Sequence, residues 1–220
     1  MVIRAFTFDE FTGNLMLLLL AFVLAVVVHV LSMAIALFLC GVTIKRISFG
    51  LGPVLFKVGI VTVSPLLTGG SVTALDSRVE SIYETDLPQA FNHQPMWVQV
   101  WVPLSGVFGL GAIAYLLLGT AAVPTFLSGF EQIIRGALSP FEVAQGQLRS
   151  VQQFVAGSDF LVVLGATASK LAAFNLLPLP GLNGGQALIN LVKMGQPEVA
   201  WEASLVQWLV WTGLLIGASW

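Results

Sequence analysis

The chain has 220 residues, 57% of them hydrophobic and only 9% charged, with a net charge of −2 and a mean hydropathy of +0.92. A soluble domain carries about 25% charged residues, so this composition excludes a fully solvated surface and requires much of the chain to face lipid. The lack of any basic run gives no footprint for nucleic acid, and Cys40, the single cysteine, excludes an intrachain disulfide.

The opening residues Met1 to Asn14 include Arg4, Asp9 and Glu10, which is not a basic leader. The apolar run behind them is too long for a signal-peptide core, so this segment is expected to stay in the mature protein. A helix crossing the hydrocarbon takes roughly 20 apolar residues. Residues 15–40 meet that, interrupted only by His29 and Ser32. The next stretch, 42–75, is rich in β-branched residues such as Ile44, Ile47, Val58, Ile60 and Val63. Gly50, Gly52-Pro53, Gly59, Pro65 and Gly69-Gly70 punctuate it, which predicts short strands joined by turns. An acidic loop follows from Asp76 to Asp86.

A second span is predicted over 97–118, with Trp97 and Trp101 placed as interfacial aromatics. Ser105 and Gly109 stand four apart within it, a spacing that permits close helix contact. Phe126, Phe130, Ile133, Ile134 and Leu138 then recur at helical spacing. Ser139-Pro140-Phe141-Glu142 resembles a capping box opening a second amphipathic stretch through Leu148, Val151 and Val155. Such helices lie on the membrane surface or pack on the protein's own spans; the spacing leaves both open. The third span is 160–177 and contains Lys170; the fourth is 204–219, starting nearer Val199 if Glu202 sits at the interface.

Basic residues orient the spans. Lys45, Arg46, Lys57, Arg78 and Lys193 fall on one side and Arg4, Arg135 and Arg149 on the other, so both termini are expected on the non-cytoplasmic side.

Two segments carry the functional question. The first span contains His29-Val30-Leu31-Ser32-Met33, and the third runs into Asn175-Leu176-Leu177-Pro178-Leu179-Pro180-Gly181-Leu182-Asn183-Gly184-Gly185. Together they resemble the site-2 protease family of intramembrane zinc metalloproteases, peptidase family M50. That family carries His-Glu-x-x-His in its first core helix and Asn-x-x-Pro-x-x-x-Leu-Asp-Gly in its third. The stretches 47–55 and 65–70 are similar to its glycine-rich segment and to the close of its membrane-associated β-hairpin. Residues 105–109 match its second-helix motif loosely. The chain lacks the PDZ insert of many bacterial members.

The resemblance implies a polytopic α-helical membrane protein, a single membrane domain over 1–220. About four transmembrane helices are expected, with a membrane-associated β-rich segment after the first and amphipathic helices before the third. It also implies an integral protein of a bacterial inner membrane. The two motif histidines would hold zinc and the glutamate would activate its water. Here His29 alone is a good ligand. Val30 can neither accept nor deliver a proton, Met33 offers a soft thioether poorly matched to zinc, and Asn183 offers a neutral amide in place of a carboxylate. No span interior contains Asp or Glu that could substitute. The expectation is a catalytically inactive relative with no catalytic residues, no metal and no cofactor, with positions 29, 30, 33 and 183 vestigial.

Its expected partners are other membrane protein subunits or a transmembrane peptide within the lipid bilayer, with no nucleic acid. The β-rich segment, including Val58 and Ile60, could take up a partner strand through backbone hydrogen bonds. Lys170 inside a span is a candidate site: it could pair with a partner's carboxylate, point toward position 183, or snorkel to the interface. Trp201, Trp208 and Trp211 share one helical face, either a docking surface or, with Trp97, Trp101 and Trp220, interfacial belts. Two alternatives stand beside this reading. One is an active metalloprotease with an atypical site. The other is a channel or carrier lined by His29 and Lys170, against which the scarcity of intramembrane polar groups argues.

Overall fold

A computed structural model describes residues 8–138, 143–179, 181–193 and Gln207. The capping-box residues 139–142 and nearly all of the fourth predicted span, with Trp201, Trp208 and Trp211, lie outside the described residues.

Helix α1 is Phe8–Leu39. Leucine, valine and alanine fill its interior, and nothing there breaks it. Gly41 terminates it with a φ of 71°. Its N–H returns to the Phe38 carbonyl, while the Val42 N–H reaches Leu37, both at 3.0 Å. This is a Schellman closure, and its accompanying apolar contact is present because Leu37 and Val42 share one buried cluster.

Four strands follow: β1 (Ile44–Leu51), β2 (Phe56–Val58), β3 (Val61–Val63) and β4 (Leu66–Ala74). They form one sheet in the order β2-β3-β1-β4. β1 runs parallel to β3, in register Ile47 with Val61 and Phe49 with Val63, and antiparallel to β4. The strands fall within 42–75 as the β-branched residues predict, but Gly50 and Gly69-Gly70, expected at turns, lie inside β1 and β4. The sheet's open edges are β2 and β4.

Helix α2 is Met96–Leu118, and a short 3₁₀ turn at Gly119–Ala121 leads into α3 (Ala122–Leu138). Then come α4 (Val143–Ala156), α5 (Phe160–Asn175) and α6 (Asn183–Val192). Two helical stretches, Thr12–Leu39 and Met96–Gly136, are long and apolar enough to cross a membrane by length and composition; Phe160–Asn175 is apolar but shorter.

The chain falls into two compact units. In the one comprising 1–25 and 110–174, Val155 of α4 is buried with Ala21 of α1 and Val163 of α5. Ser169 of α5 donates to the Ala122 carbonyl at 2.9 Å, and Gly129 of α3 lies against the Ala173 side chain. Both amphipathic helices thus make contacts with the protein's own apolar helices. Leu148, at 65% exposed, still leaves apolar surface on α4.

The other unit comprises 26–109 and 175–220. Ala36, Leu37, Val42, Val98 and Val102 form a buried cluster, with Ile44, Val72 and Ala74 of the sheet packed on it. α1 and α2 approach closely here. Gly109 lies against the Ser32 side chain, and Ser105 Oγ donates to the carbonyls of Val102 at 2.6 Å and Ser32 at 3.4 Å. The small residues predicted to permit close contact are the ones making it. The turn over 176–179 folds back on the start of α6, where a side chain on Gly184 or Gly185 would overlap the Leu176 or Leu179 carbonyl.

Candidate functional site

His29, Met33 and Asn183 come together in the unit just described. His29 and Met33 lie one turn apart on α1, facing α2 across Gly106. A methyl group on Gly106 would stand 2.5 Å from His29 Cε1 and 3.0 Å from Met33 Cγ, so only glycine admits both side chains. The His29 ring lies beside the Gly106 backbone and the Asn183 side chain. It is 6% exposed, and Nδ1 has no hydrogen-bond partner among the described residues.

Val30 meets the sheet. It is fully buried, and its Cγ2 would stand 2.6 Å from a side-chain carbon on Gly70 of β4. The alkyl group at the position of the family's general base is therefore packed under a strand backbone.

Asn183 opens α6 and is preceded by Leu182 in an extended conformation; α6 has no side-chain cap at this end. Asparagine favours helix N-caps, yet here its amide reaches across to two other helices. Nδ2 donates to the Pro103 carbonyl of α2 at 2.5 Å and to Met33 Sδ of α1 at 3.2 Å. The neutral amide read in place of a carboxylate thus turns its N–H₂ toward those partners.

A second amide repeats this arrangement seven residues along α6. Pro103 sits inside α2 and has no N–H, which leaves the Gln99 carbonyl four residues earlier without its helical donor. Asn190 Nδ2 fills that place at 2.6 Å. Gln99 in turn donates to the Gln94 carbonyl at 2.7 Å, and Gln186 donates to Asn190 Oδ1 at 3.2 Å. Both Asn190 and Gln99 are 1% exposed. An unsatisfied buried carbonyl costs about 1–3 kcal/mol, so this pairing matters to the unit. Sequence reasoning missed Gln99, Pro103 and Asn190. The available signal was a proline within a predicted span together with polar side chains in otherwise apolar helices.

A catalytic zinc takes three protein ligands and an open position. One imidazole, a thioether already accepting an N–H and an amide presenting its donors do not make such a set. Among the described residues, no group of three or more His, Cys, Asp or Glu converges that could hold a metal ion. The residues present at these positions do not fit zinc.

The remaining candidates are placed as follows. Lys170 Nζ donates to Ser128 Oγ of α3 at 2.6 Å, with the Glu131 charge acting on it. Val58 lies on the open edge strand β2, 70% exposed. Ile60 lies in the β2–β3 turn, where its carbonyl accepts from the Ile47 N–H at 2.8 Å. Within the acidic loop, Arg78 grips Asp76 with both Nε and Nη2, the latter at 2.6 Å. Burial disfavours the Asp76 carboxylate, but the Arg78 hydrogen bonds and the charges of Arg78 and buried Lys193 outweigh it and lower its pKa.

A family model described as Peptidase family M50 matches residues 17–217. A candidate zinc metalloprotease of Neisseria meningitidis serogroup A is 34% identical over 109 residues, covering 46% of this chain and 24% of that protein. The match thus spans about a quarter of that relative's length.

Proposed function

The chain belongs to peptidase family M50, and on that premise we propose that it is a catalytically inactive member acting as a binding or scaffold subunit of a membrane protein complex. The family is membrane-embedded, and two helical stretches here have the length and apolarity to cross a bilayer. The observation that carries the proposal is the amide of Asn183. It is committed as a donor to Pro103 and Met33, at a position where metal chemistry calls for a carboxylate. Val30 buried against Gly70 supports it, because an alkyl group cannot act as a base.

In this reading the chain has four spans, the fourth over 204–219, and sits in a bacterial inner membrane with both termini on the non-cytoplasmic side. The partner is another membrane subunit or a transmembrane peptide. It engages an open edge of the sheet by strand addition, which needs backbone hydrogen bonds and no metal. Val58 on β2, with its large exposed side chain, supports that edge as one receiver. Crosslinking in membranes followed by purification in mild detergent tests the idea. A stable set of co-purifying membrane proteins is expected, and a chain that crosslinks to nothing refutes it.

The relative described as a candidate zinc metalloprotease favours a second reading, an active protease with an atypical site. Metal analysis separates the two: stoichiometric zinc in purified protein supports the second.

A further inference from the structure

We propose that Asn183 is a hydrogen-bond latch joining α1, α2 and α6, and that position 183 now requires a donor, so that the family's aspartate would destabilise this chain instead of restoring its metal site. The inference concerns the chain alone and stands or falls separately from any partner.

The geometry carries it. One amide nitrogen contacts two acceptors on two different helices, the Pro103 carbonyl and the Met33 sulfur. An ionised carboxylate in the same place can donate to neither and would set oxygen against oxygen at Pro103. Position 183 is also the first residue of α6. A negative charge is ordinarily favourable at a helix N-terminus, so general helix electrostatics predict the opposite outcome. The latch links α1 and α6, the two helices that a metal held by positions 29, 33 and 183 would tie together, and adds α2 through Pro103.

The test compares the full chain with Asn183→Asp, Asn183→Ala and Met33→Leu in mild detergent, metal-free and with zinc chloride added, by thermal unfolding. Asn183→Ala is expected to lower the apparent Tm by roughly 5 °C. Asn183→Asp should lower it further, and Met33→Leu less than Asn183→Ala. Zinc should restore none of them. Asn183→Asp at least as stable as Asn183→Ala, or raised in Tm by zinc, overturns the assignment.

Acidification supplies a second readout. On protonation the introduced carboxyl regains a donor, so the deficit of Asn183→Asp relative to wild type should shrink as pH falls. A deficit constant with pH overturns the latch. The titratable group facing the position is His29 of α1; β4 and α6 contain none, and Tyr115 of α2 lies about three turns beyond Pro103. Because the His29 ring lies beside position 183, the comparison is repeated with His29→Gln in both proteins, where the deficit should still shrink. Should Asn183→Asp fail to accumulate, the milder variants decide: Asn183→Ala and Met33→Leu both matching wild type would overturn the proposal.

Discussion

Asn190 donates its side-chain amide at 2.6 Å to the carbonyl of Gln99, the carbonyl that Pro103 strips of its helical donor. The proline and the asparagine are therefore coupled through one carbonyl although they lie far apart in sequence. Asn190→Leu should cost about 1–3 kcal/mol through the orphaned carbonyl. In a Pro103→Ala background the N–H at 103 returns and that cost should fall. A double-mutant cycle by chemical unfolding measures the coupling; strictly additive losses would refute it.

Gly106 is the second sensitive point. An added methyl group would meet the His29 ring at 2.5 Å and Met33 at 3.0 Å. Gly106→Ala should destabilise by about 1–3 kcal/mol through overpacking. Adding His29→Ala should recover part of that loss, because the ring is the nearer neighbour. Thermal unfolding of the single and double variants reads the effect, and no recovery in the double variant would contradict the packing.

Asp76 should give the chain an acid-sensitive component. Its folded pKa lies below the ordinary carboxylate value because the Arg78 hydrogen bonds and the Arg78 and Lys193 charges outweigh its burial. The stability it contributes is thus fully present above the unfolded pKa, about 4, and is lost as pH falls through the lower folded value. Asp76→Asn should be less stable than wild type at neutral pH and should converge with it as the pH falls through the lowered folded pKa of Asp76. Unfolding midpoints across pH report this; a gap that persists at the acid end would be evidence against the pairing.

Lys170 and Val58 should separate in partner assays. The Lys170 ammonium is engaged by Ser128 within the chain, so Lys170→Met should leave the crosslinked proteins unchanged. Val58→Lys places a charge on the exposed edge strand, where charges oppose strand pairing, and should weaken capture several-fold. Quantitative mass spectrometry of the captured proteins checks both. Equal losses for the two variants would remove β2 from consideration.

Much of the architecture was legible in sequence because it rests on composition and short-range spacing. The apolar run at 15–40 lies within α1 except for Cys40, and Gly52-Pro53, Gly59 and Pro65 fall between strands, whereas Gly50 lies inside β1 and Gly69-Gly70 inside β4. The sheet order was not legible, since the parallel pairing of β1 with β3 depends on contacts that local alternation does not encode. At the candidate site, His29, Met33 and Asn183 were found by motif, but the bonds from Asn183 to Pro103 and Met33 were not legible. An asparagine carries both donor and acceptor, and only its tertiary surroundings decide which is used. Asn190 and Gln99 were missed for a related reason: their bond joins residues 91 apart, and its cause is the missing N–H of a third residue.

The sheet has a consequence for the order of assembly during synthesis. All four strands lie between the end of α1 at Leu39 and the start of α2 at Met96. Its pairings can therefore close while α2 is still being made, with Val30 already available as the surface on which Gly70 settles. α2, by contrast, leaves the ribosome with the Gln99 carbonyl lacking its donor, and Asn190 emerges only much later. Order of synthesis thus makes the sheet and α1 available to each other first, and the Asn190 donor of α6 last.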